Sequence, residues 1–302
     1  MAVANNELEK VIIQSVMEEL AKKGLLSQKR KDHVMAAAMI ETPTLPDTQS
    51  EEMVTFPPLN EMQISNPFNA DAVKAMMKST PARIGIGRAG TRPKTMSLLR
   101  FLADHAVAQD AVFLDVSEEF LKRMDLMSVQ SAATSKDEFL QRPDLGRRLS
   151  DEAAKIIAEK CEKNVQVQIL IVDGLSSSAI EANIPDLLPA LMQGLKSSGI
   201  KVGAPLFVKN GRVWVQDHLA SIVNCEVIIS LIGERPGLGT AESLSAYMIY
   251  RPDEKTVEAD RTVISNIHKG GIPPAEAGAH LTDVIKQVLA AKASGVKLNQ
   301  QK

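Results

Sequence analysis

The stretch CEVIISLIGERPGLG, Cys225 to Gly239, predicts a buried parallel strand that runs into a glycine-rich, ligand-facing loop. Its first half is an aliphatic, β-branched run, typical of a strand covered on both faces. Its second half holds a proline, two glycines within three residues (Gly237 and Gly239) and the charged pair Glu234 and Arg235, more than a plain connection requires. The alternative is that Gly237 and Gly239 only turn the chain, while Glu234 and Arg235 pair in solvent.

The chain around this stretch alternates strands with helices, which indicates a parallel sheet with crossover connections. Residues 164–302 are therefore predicted to form an α/β, Rossmann-like parallel-sheet domain with helices on both faces. One exception is LFVKNGRVWV (Leu206–Val215), where Asn210-Gly211 predicts a tight antiparallel hairpin. The predicted strands are VQVQILIVDG, IKVGAPLFV, CEVIISLIG and RTVISNI, and the predicted helices cover about 184–197 and 274–293.

The chain before residue 164 has a different pattern. Residues 66–163 are predicted to be mainly helical, residues 25–65 form a Pro/Thr/Glu-rich linker, and residues 1–24 form an amphipathic helix that ends at Gly24. Together, residues 1–65 are predicted to form a flexible N-terminal tail, and the alternative is that the first helix docks on the body. Helices in the middle region are predicted over Asn66–Lys78, from Thr91-Arg92-Pro93 to about Ala108, after the cap Ser117, and over Ser150–Lys163.

Composition excludes several classes of function. The 302 residues carry a net charge of −2 and only 3% aromatic side chains, which disfavours nucleic-acid binding. Two separated cysteines, Cys161 and Cys225, suit a reducing cytoplasm and provide neither a disulfide framework nor a zinc site. No apolar run is long enough to span a membrane, and no secretory leader is recognisable.

The segment GIGRAG offers an alternative function. Gly85, Gly87 and Gly90 match the dinucleotide fingerprint, whose glycines let backbone amides approach a pyrophosphate, and Asp115 follows at a suitable distance. The strand before it is at most Arg83–Ile86, too short for that fingerprint. An NAD-type oxidoreductase therefore stays as an alternative, and a ligand-free assembly protein as another.

Three predicted strand ends are candidates for one crevice: Asp173–Ser178, Gly233–Gly239 and Ile264–Gly271. Among the histidines, only His268 has a position near this crevice, and none has a partner at metal-ligand spacing. The serines at 176–178 lack a nucleophile elbow. The sequence therefore predicts a binding crevice without catalytic residues and without a metal site.

Five segments in the same order resemble the small subunit of ethanolamine ammonia-lyase, over about Asn66 to Leu298. They are GRAGTRPKTMSLLRFLADHA, RPDLGRRLSDEA, VQILIVDGLSSSAI, GERPGLGTAESLSAY and EADRTVISNIHKGG. The resemblance implies an adenosylcobalamin-dependent lyase that converts ethanolamine to acetaldehyde and ammonia by radical chemistry. It also implies that the catalytic residues belong to a large (β/α)8-barrel subunit, with the cofactor between the two subunits.

The resemblance also implies cobalamin contacts at Val213, Glu234 and Val263. Val263 departs from the family pattern, in which a cysteine is common, so its contact is expected through backbone or packing. The motif D-x-H-x-x-G is absent, because Asp217 and His218 are adjacent, and no histidine is expected to ligate cobalt. The resemblance further implies a bacterial microcompartment as the site of action, with residues 1–24 as an encapsulation peptide for its shell proteins.

Overall fold

The computed structural model describes residues 55–56 and 58–300. The chain divides into two units, residues 1–56 and 57–302, and every element below belongs to the second. The division falls inside the segment predicted as a linker. The helix predicted over residues 1–24 lies outside the described residues.

The elements before the main sheet are mostly helices with recognisable caps. Helix α1 begins at Ala70, four residues later than its predicted Asn66 start, because the side chain of Asn69 caps it by accepting a hydrogen bond from the amide of Ala72. Ser117 caps α3, as predicted, and Ser150, the predicted start of the next helix, caps α5. The bounds are α1 Ala70–Ser79, β1 Arg88–Ala89, β2 Arg92–Pro93, α2 Thr95–Phe113, α3 Glu118–Arg123, β3 Met127–Gln130, α4 Lys136–Gln141 and α5 Asp151–Lys160.

The remaining elements complete a sheet of six strands within the described residues, in the order β3-β5-β4-β6-β7-β8. Strands β3 to β6 are parallel, whereas β7 pairs antiparallel with both β6 and β8. The predicted α/β class is confirmed, and the sheet is mixed rather than purely parallel. The bounds are β4 Val167–Val172, α6 Ser177–Ser197, β5 Leu206–Lys209, α7 Val215–Val223, β6 Val227–Gly233, β7 Leu244–Tyr250, β8 Thr262–Ile267, α8 Pro274–Ala291 and α9 Gly295–Asn299.

Helices cover both faces of the sheet, as predicted. Strands β4 and β6 are buried along their whole length, which is why they read as continuous aliphatic runs. One core packs α6 and α8 against one face, around residues such as Ile184 and Leu281. The other packs α5 and α7 against the opposite face, around Ile157 and Leu219. The sheet is therefore the middle layer of three.

The predicted hairpin at Asn210-Gly211 is wrong. Strand β5 ends at Lys209, a turn follows, and α7 begins at Val215. Asn210 does adopt the left-handed conformation that a type I′ turn needs, with φ of 55°. However, the amides of Asn210 and Gly211 donate to the carboxylate of Asp173. Because that carboxylate holds the turn, the chain crosses into a helix instead of returning as a strand.

Other differences follow from long-range pairing. Strand β3 lies inside 66–163, the region predicted to be mainly helical, and forms an edge of the sheet by pairing with β5. Strand β7, LSAYMIY, was not predicted. Helix α6 begins at Ser177 rather than near 184, because Ser176 caps it by accepting from the amide of Ala179.

The segment GIGRAG forms a small ribbon rather than a dinucleotide loop. Residues 81–87 contain no strand, and β1 and β2 pair with each other across Gly90. Gly85 and Gly90 have φ of 76° and 61°, so these glycines serve tight turns. The strand that precedes a dinucleotide fingerprint is missing, and the NAD-type alternative loses its basis. No helix among the described residues has the length and apolarity required to cross a membrane.

Candidate functional site

A cavity of about 200 Å³ lies beyond the carboxyl ends of β4 and β6. Two predicted strand-end loops meet there, one through Gly174 and one through Glu234. The third predicted loop, Ile264–Gly271, lies at the same edge because β8 runs in the same direction as β6. The amide of Asn266 in this loop donates to Glu234 Oε1 over 3.3 Å. The lining residues are Gly174, Leu175, Arg212, Val213, Ile232, Gly233, Glu234, Arg235 and Tyr247.

The floor of this cavity, Asp173 to Ser176 and Gly233, is built from backbone in close contact. Gly174 has φ of +56°, and a Cβ there would lie 2.4 Å from the carbonyl oxygen of Gly233. A Cβ on Gly233 would lie 2.1 Å from the carbonyl oxygen of Ser176. The amide of Leu175 donates to the Gly233 oxygen over 3.0 Å, which ties the two strand ends together. Only glycine fits at 174 and 233.

The rim of the cavity, Arg235 to Gly239 with the side chains of Arg212 and Glu234, is open by contrast. A Cβ on Gly239 would meet no atom within 4 Å, and one on Gly237 would lie 4.0 Å from its nearest neighbour. A side chain at Gly237 or Gly239, the two glycines singled out in the sequence, would therefore meet no close neighbour. The close approach is at Gly233, the last residue of β6.

Glu234 is held in place by its own sheet. Its carboxylate accepts hydrogen bonds from the hydroxyls of Ser243 and Ser245 and from the amide of Asn266. Among the described residues it forms no ion pair with Arg235, so the proposed solvent pair is absent. Oε1 accepts two of these bonds and Oε2 one, which leaves acceptor capacity on Oε2. Glu234 is thus a pre-positioned acceptor on the cavity wall.

Val213 and Glu234 both line this cavity, whereas Val263 does not. Val213 sits in the turn before α7, not in the second strand of a hairpin. Val263 on β8 pairs with Tyr247 of β7, which does line the cavity. The Val263 side chain is 41% exposed and belongs to neither core. It therefore extends the exposed surface beside the cavity.

Asp173 places the turn that carries Val213. Its carboxylate is 1% exposed and accepts the amides of Asn210 over 2.9 Å and Gly211 over 3.2 Å. Lys136 lies 3.6 Å away as its counter-charge. Burial raises the pKa of Asp173, against the lowering effects of Lys136 and the backbone donors. This buried carboxylate connects the floor to the rim.

Arg212, which the sequence interpretation missed, projects into the same cavity. Its guanidinium stacks 4.1 Å from the ring centre of Phe139, and Nη2 donates to the Phe139 carbonyl over 3.2 Å. Its Nε is buried and has no acceptor among the described residues. Burial first, then the charges of Arg235 and Arg147, lower the pKa of Arg212, while Asp173 raises it. A basic residue just after a strand end was the only available signal.

The remaining polar candidates have structural partners. The imidazole of His268 bonds to Asn266 Oδ1 over 2.8 Å, and His218 accepts from the amide of Leu149 over 3.1 Å. Asp217 pairs with buried Arg261. The part of the chain that the structure describes holds no group of three or more potential metal ligands. The cavity can bind and orient a ligand, and its lining holds no nucleophile with a neighbouring base.

Comparison with known proteins identifies the family. A model of the family described as Ethanolamine ammonia-lyase light chain (EutC) matches residues 70–299. The chain belongs to the ethanolamine ammonia-lyase small subunit family. The resemblance seen in the five sequence segments is thereby confirmed, and the cavity belongs to a subunit of a lyase.

Relatives in this family are similar over most of their length. The ethanolamine ammonia-lyase small subunit of Clostridium perfringens is 54% identical over 238 residues, 79% of this chain and 81% of its own. That of Clostridioides difficile is 55% identical over the same shares. That of Fusobacterium nucleatum is 48% identical over 299 residues, 97% of this chain and 99% of its own.

Proposed function

We propose that this chain is the small subunit of an adenosylcobalamin-dependent ethanolamine ammonia-lyase and holds one side of the cofactor against a large subunit. The observation that carries the proposal is that Val213 and Glu234, distant in sequence, line one cavity at the carboxyl edge of the sheet. Open α/β sheets bind ligands at this edge. The proposed cofactor contacts are Val213, Glu234 and, on the adjoining exposed strand, Val263.

The cavity has the chemistry that one part of a cobalamin requires. The amide side chains of a corrin are hydrogen-bond donors, and Glu234 presents an acceptor that three donors already orient. The backbone floor at Gly174 and Gly233 lets a ligand approach without side chains in the way. Val213 and Ile232 add apolar surface. Because adenosylcobalamin is much larger than about 200 Å³, the cavity takes only part of it.

The division of work between subunits follows from what the cavity lacks. Adenosylcobalamin supplies the organic radical that starts the conversion of ethanolamine to acetaldehyde and ammonia. The lining residues of this chain bind, orient and exclude water. Tyr247 is half-buried, and its hydroxyl has a pKa raised by burial and by Glu234, so it stays protonated at neutral pH and can donate a hydrogen bond. The (β/α)8-barrel subunit supplies the radical-handling residues.

An exposed apolar surface on α2 supports contact with that large subunit. Large apolar surfaces on a soluble chain are typical of partner interfaces. This surface adjoins the rim, because Arg83 pairs with Asp104 of α2 at 2.5 Å and donates to the Leu238 carbonyl over 2.9 Å. Its members are Met96, Leu98, Leu99, Phe101, Leu102, Val107 and Phe113.

The test is reconstitution. The chain is purified with and without its large subunit, adenosylcobalamin is added, and the retained corrin spectrum and ethanolamine-dependent acetaldehyde are measured. We expect both signals in the two-subunit complex. A complex that retains no corrin overturns the proposal. Glu234→Gln is expected to weaken cofactor affinity several-fold, whereas the control Glu226→Gln, which loses an ion pair with Arg251, leaves it unchanged.

We also propose that residues 1–24 form an encapsulation peptide that directs the lyase into an ethanolamine-utilisation microcompartment. The proposal rests on the amphipathic pattern of residues 6–24 and the proline-rich segment that follows. Deleting Met1 to Ser50 is expected to abolish co-purification with shell proteins while the lyase keeps its activity. Unchanged co-purification would remove this role.

A further inference from the structure

Arg212 has no ion-pair partner in the described part of the chain. Asp173, whose charge raises the pKa of Arg212, is itself held by Lys136 and two backbone amides. The Nε of Arg212 is buried without an acceptor among the described residues. Other shielded arginines are paired: Arg83 with Asp104, and Arg261 with Asp217. Because a half-buried cation without a directly paired counter-ion is costly, the pairing of those arginines makes the lack of an ion pair at Arg212 informative.

The position of Arg212 is built rather than incidental. Its guanidinium stacks on Phe139 and donates to the Phe139 carbonyl. Its backbone amide donates to Gly146 over 2.7 Å, and its Cγ lies 2.8 Å from where a Gly146 side chain would begin. These contacts hold the side chain against the cavity instead of in solvent. A pre-oriented guanidinium loses little entropy when it binds an anion.

A second cation faces the same space. Arg235 follows Glu234 on the rim, is exposed and forms no ion pair among the described residues. Repulsion from Arg235 contributes to the lowered pKa of Arg212, so the two charges lie within electrostatic reach. Glu234 forms no ion pair with either arginine among the described residues, since its oxygens accept from Ser243, Ser245 and the Asn266 amide. The cavity therefore offers two guanidiniums to an anion.

We infer that Arg212 and Arg235 bind the phosphodiester of the nucleotide loop of cobalamin. This inference rests on the function proposed above and deepens it. The corrin periphery carries neutral amides, so the phosphodiester is the anionic group of the cofactor's organic framework, and guanidiniums recognise phosphate oxygens well. With the phosphodiester at the two arginines, the part of the cofactor beside Glu234 is the amide-bearing edge next to the nucleotide loop.

The experiment compares two ligands on the reconstituted two-subunit complex. Adenosylcobinamide lacks the nucleotide loop and its phosphodiester, whereas adenosylcobalamin has both. Dissociation constants for each are measured by equilibrium dialysis with corrin absorbance, without substrate. Arg212→Gln and Arg235→Gln are each expected to weaken adenosylcobalamin binding about ten-fold and to leave adenosylcobinamide binding unchanged. Arg142→Gln, which loses an exposed pair with Asp144, is the matched control.

Each outcome is decisive. An equal loss for both ligands means that Arg212 acts only through the shape of the turn, and overturns the inference. So does an unchanged affinity for adenosylcobalamin. Weaker subunit association in Arg235→Gln, with cobalamin affinity intact, assigns Arg235 to a carboxylate of the partner. If the unsubstituted complex binds neither ligand, the proposed function itself fails.

Salt dependence gives a second readout where adenosylcobinamide binds too weakly to measure. Two cation–phosphate contacts make cobalamin affinity fall as ionic strength rises. Arg212→Gln is expected to flatten that dependence, and Arg212→Lys, which keeps the charge, is expected to restore its slope with lower affinity. A slope that is the same in the unsubstituted complex and in Arg212→Gln contradicts the inference. Melting temperatures of all variants check that the fold is intact.

Discussion

The floor and the rim of the cavity meet at Gly233 and Glu234, but they differ in how closely backbone atoms approach one another. In the floor, Gly174 and Gly233 bring two strand ends so close that a single added carbon would collide with backbone oxygen. On the rim, Gly239 has no atom near the position of a side chain. The difference shows that glycine is required where two backbones come into contact, and that a high number of glycines in a loop does not by itself indicate such a requirement.

The same comparison separates stability from binding. The floor is buried and is tied by hydrogen bonds within the chain, such as Leu175 to Gly233. The rim carries groups with unused capacity: one oxygen of Glu234 and the guanidiniums of Arg212 and Arg235. Substitutions in the floor are therefore expected to change folding, and those on the rim to change ligand affinity.

The largest expected effect is that of Gly233→Ala. The new Cβ would lie 2.1 Å from the carbonyl oxygen of Ser176, and backbone atoms must move to relieve the contact. We expect the free energy of unfolding to fall by at least about 3 kcal/mol, measured by urea denaturation. A loss below about 1 kcal/mol would mean that the two strand ends separate easily, and the distinction between floor and rim would not hold.

Asp173→Asn is expected to have an intermediate effect. It replaces one of the two carboxylate oxygens that accept the Asn210 and Gly211 amides with an NH2 group that cannot accept, and the free energy of unfolding should fall by about 2 kcal/mol at neutral pH. Binding of adenosylcobalamin should weaken as well, since Asp173 holds the turn that carries Val213. Asp115→Asn, which removes the exposed pair with Lys209, is the control.

The pH dependence of that difference gives an independent check. The pKa of Asp173 is raised in the folded state, so the folded chain binds this proton more tightly than the unfolded chain does. The contribution of Asp173 to stability is then fully present below its unfolded pKa of about 3.9 and is lost as pH rises through the folded pKa. The advantage of the unsubstituted chain over Asp173→Asn should shrink from acidic toward neutral pH. An advantage that grows toward neutral pH contradicts this.

Ser245→Ala tests whether hydrogen bonds from the sheet orient the carboxylate of Glu234. The substitution removes one of the hydroxyls that donate to Glu234. Stability should fall by about 1 kcal/mol, and adenosylcobalamin affinity several-fold, because the carboxylate becomes less fixed. Ser221→Ala, which removes an exposed hydroxyl bonded to the His218 carbonyl, should leave cofactor affinity unchanged. Equal affinities in the two variants would show that Glu234 needs no such orientation.

The smallest expected effect has the opposite sign. Gly239→Ala meets no neighbouring atom, and it reduces the conformational freedom of the unfolded chain. We expect a gain of roughly 0.5 kcal/mol in the free energy of unfolding, read as a slightly higher melting temperature. A loss comparable to that of Gly233→Ala would mean that the rim loop is as constrained as the floor.

The sequence by itself determined the elements whose cause is local. Aliphatic runs marked β4 and β6, because a strand buried on both faces needs them along its whole length. Ser117 and Ser150 marked helix starts, because a cap acts within three residues. The family resemblance of the five segments and the position of Glu234 at the end of β6 were also predictable, since they depend on residue order and on the end of one strand.

Only the tertiary structure decided what depends on distant residues. The short strand β3 carries no aliphatic run of its own and is a strand because β5 pairs with it. The turn at Asn210 leads into a helix because its amides donate to Asp173, which is far away in sequence. Gly233 is required because the backbone of Ser176 lies against it, and Arg212 is oriented by the ring of Phe139. Such contacts leave no periodicity in the sequence, because packing brings their partners together only in the folded chain.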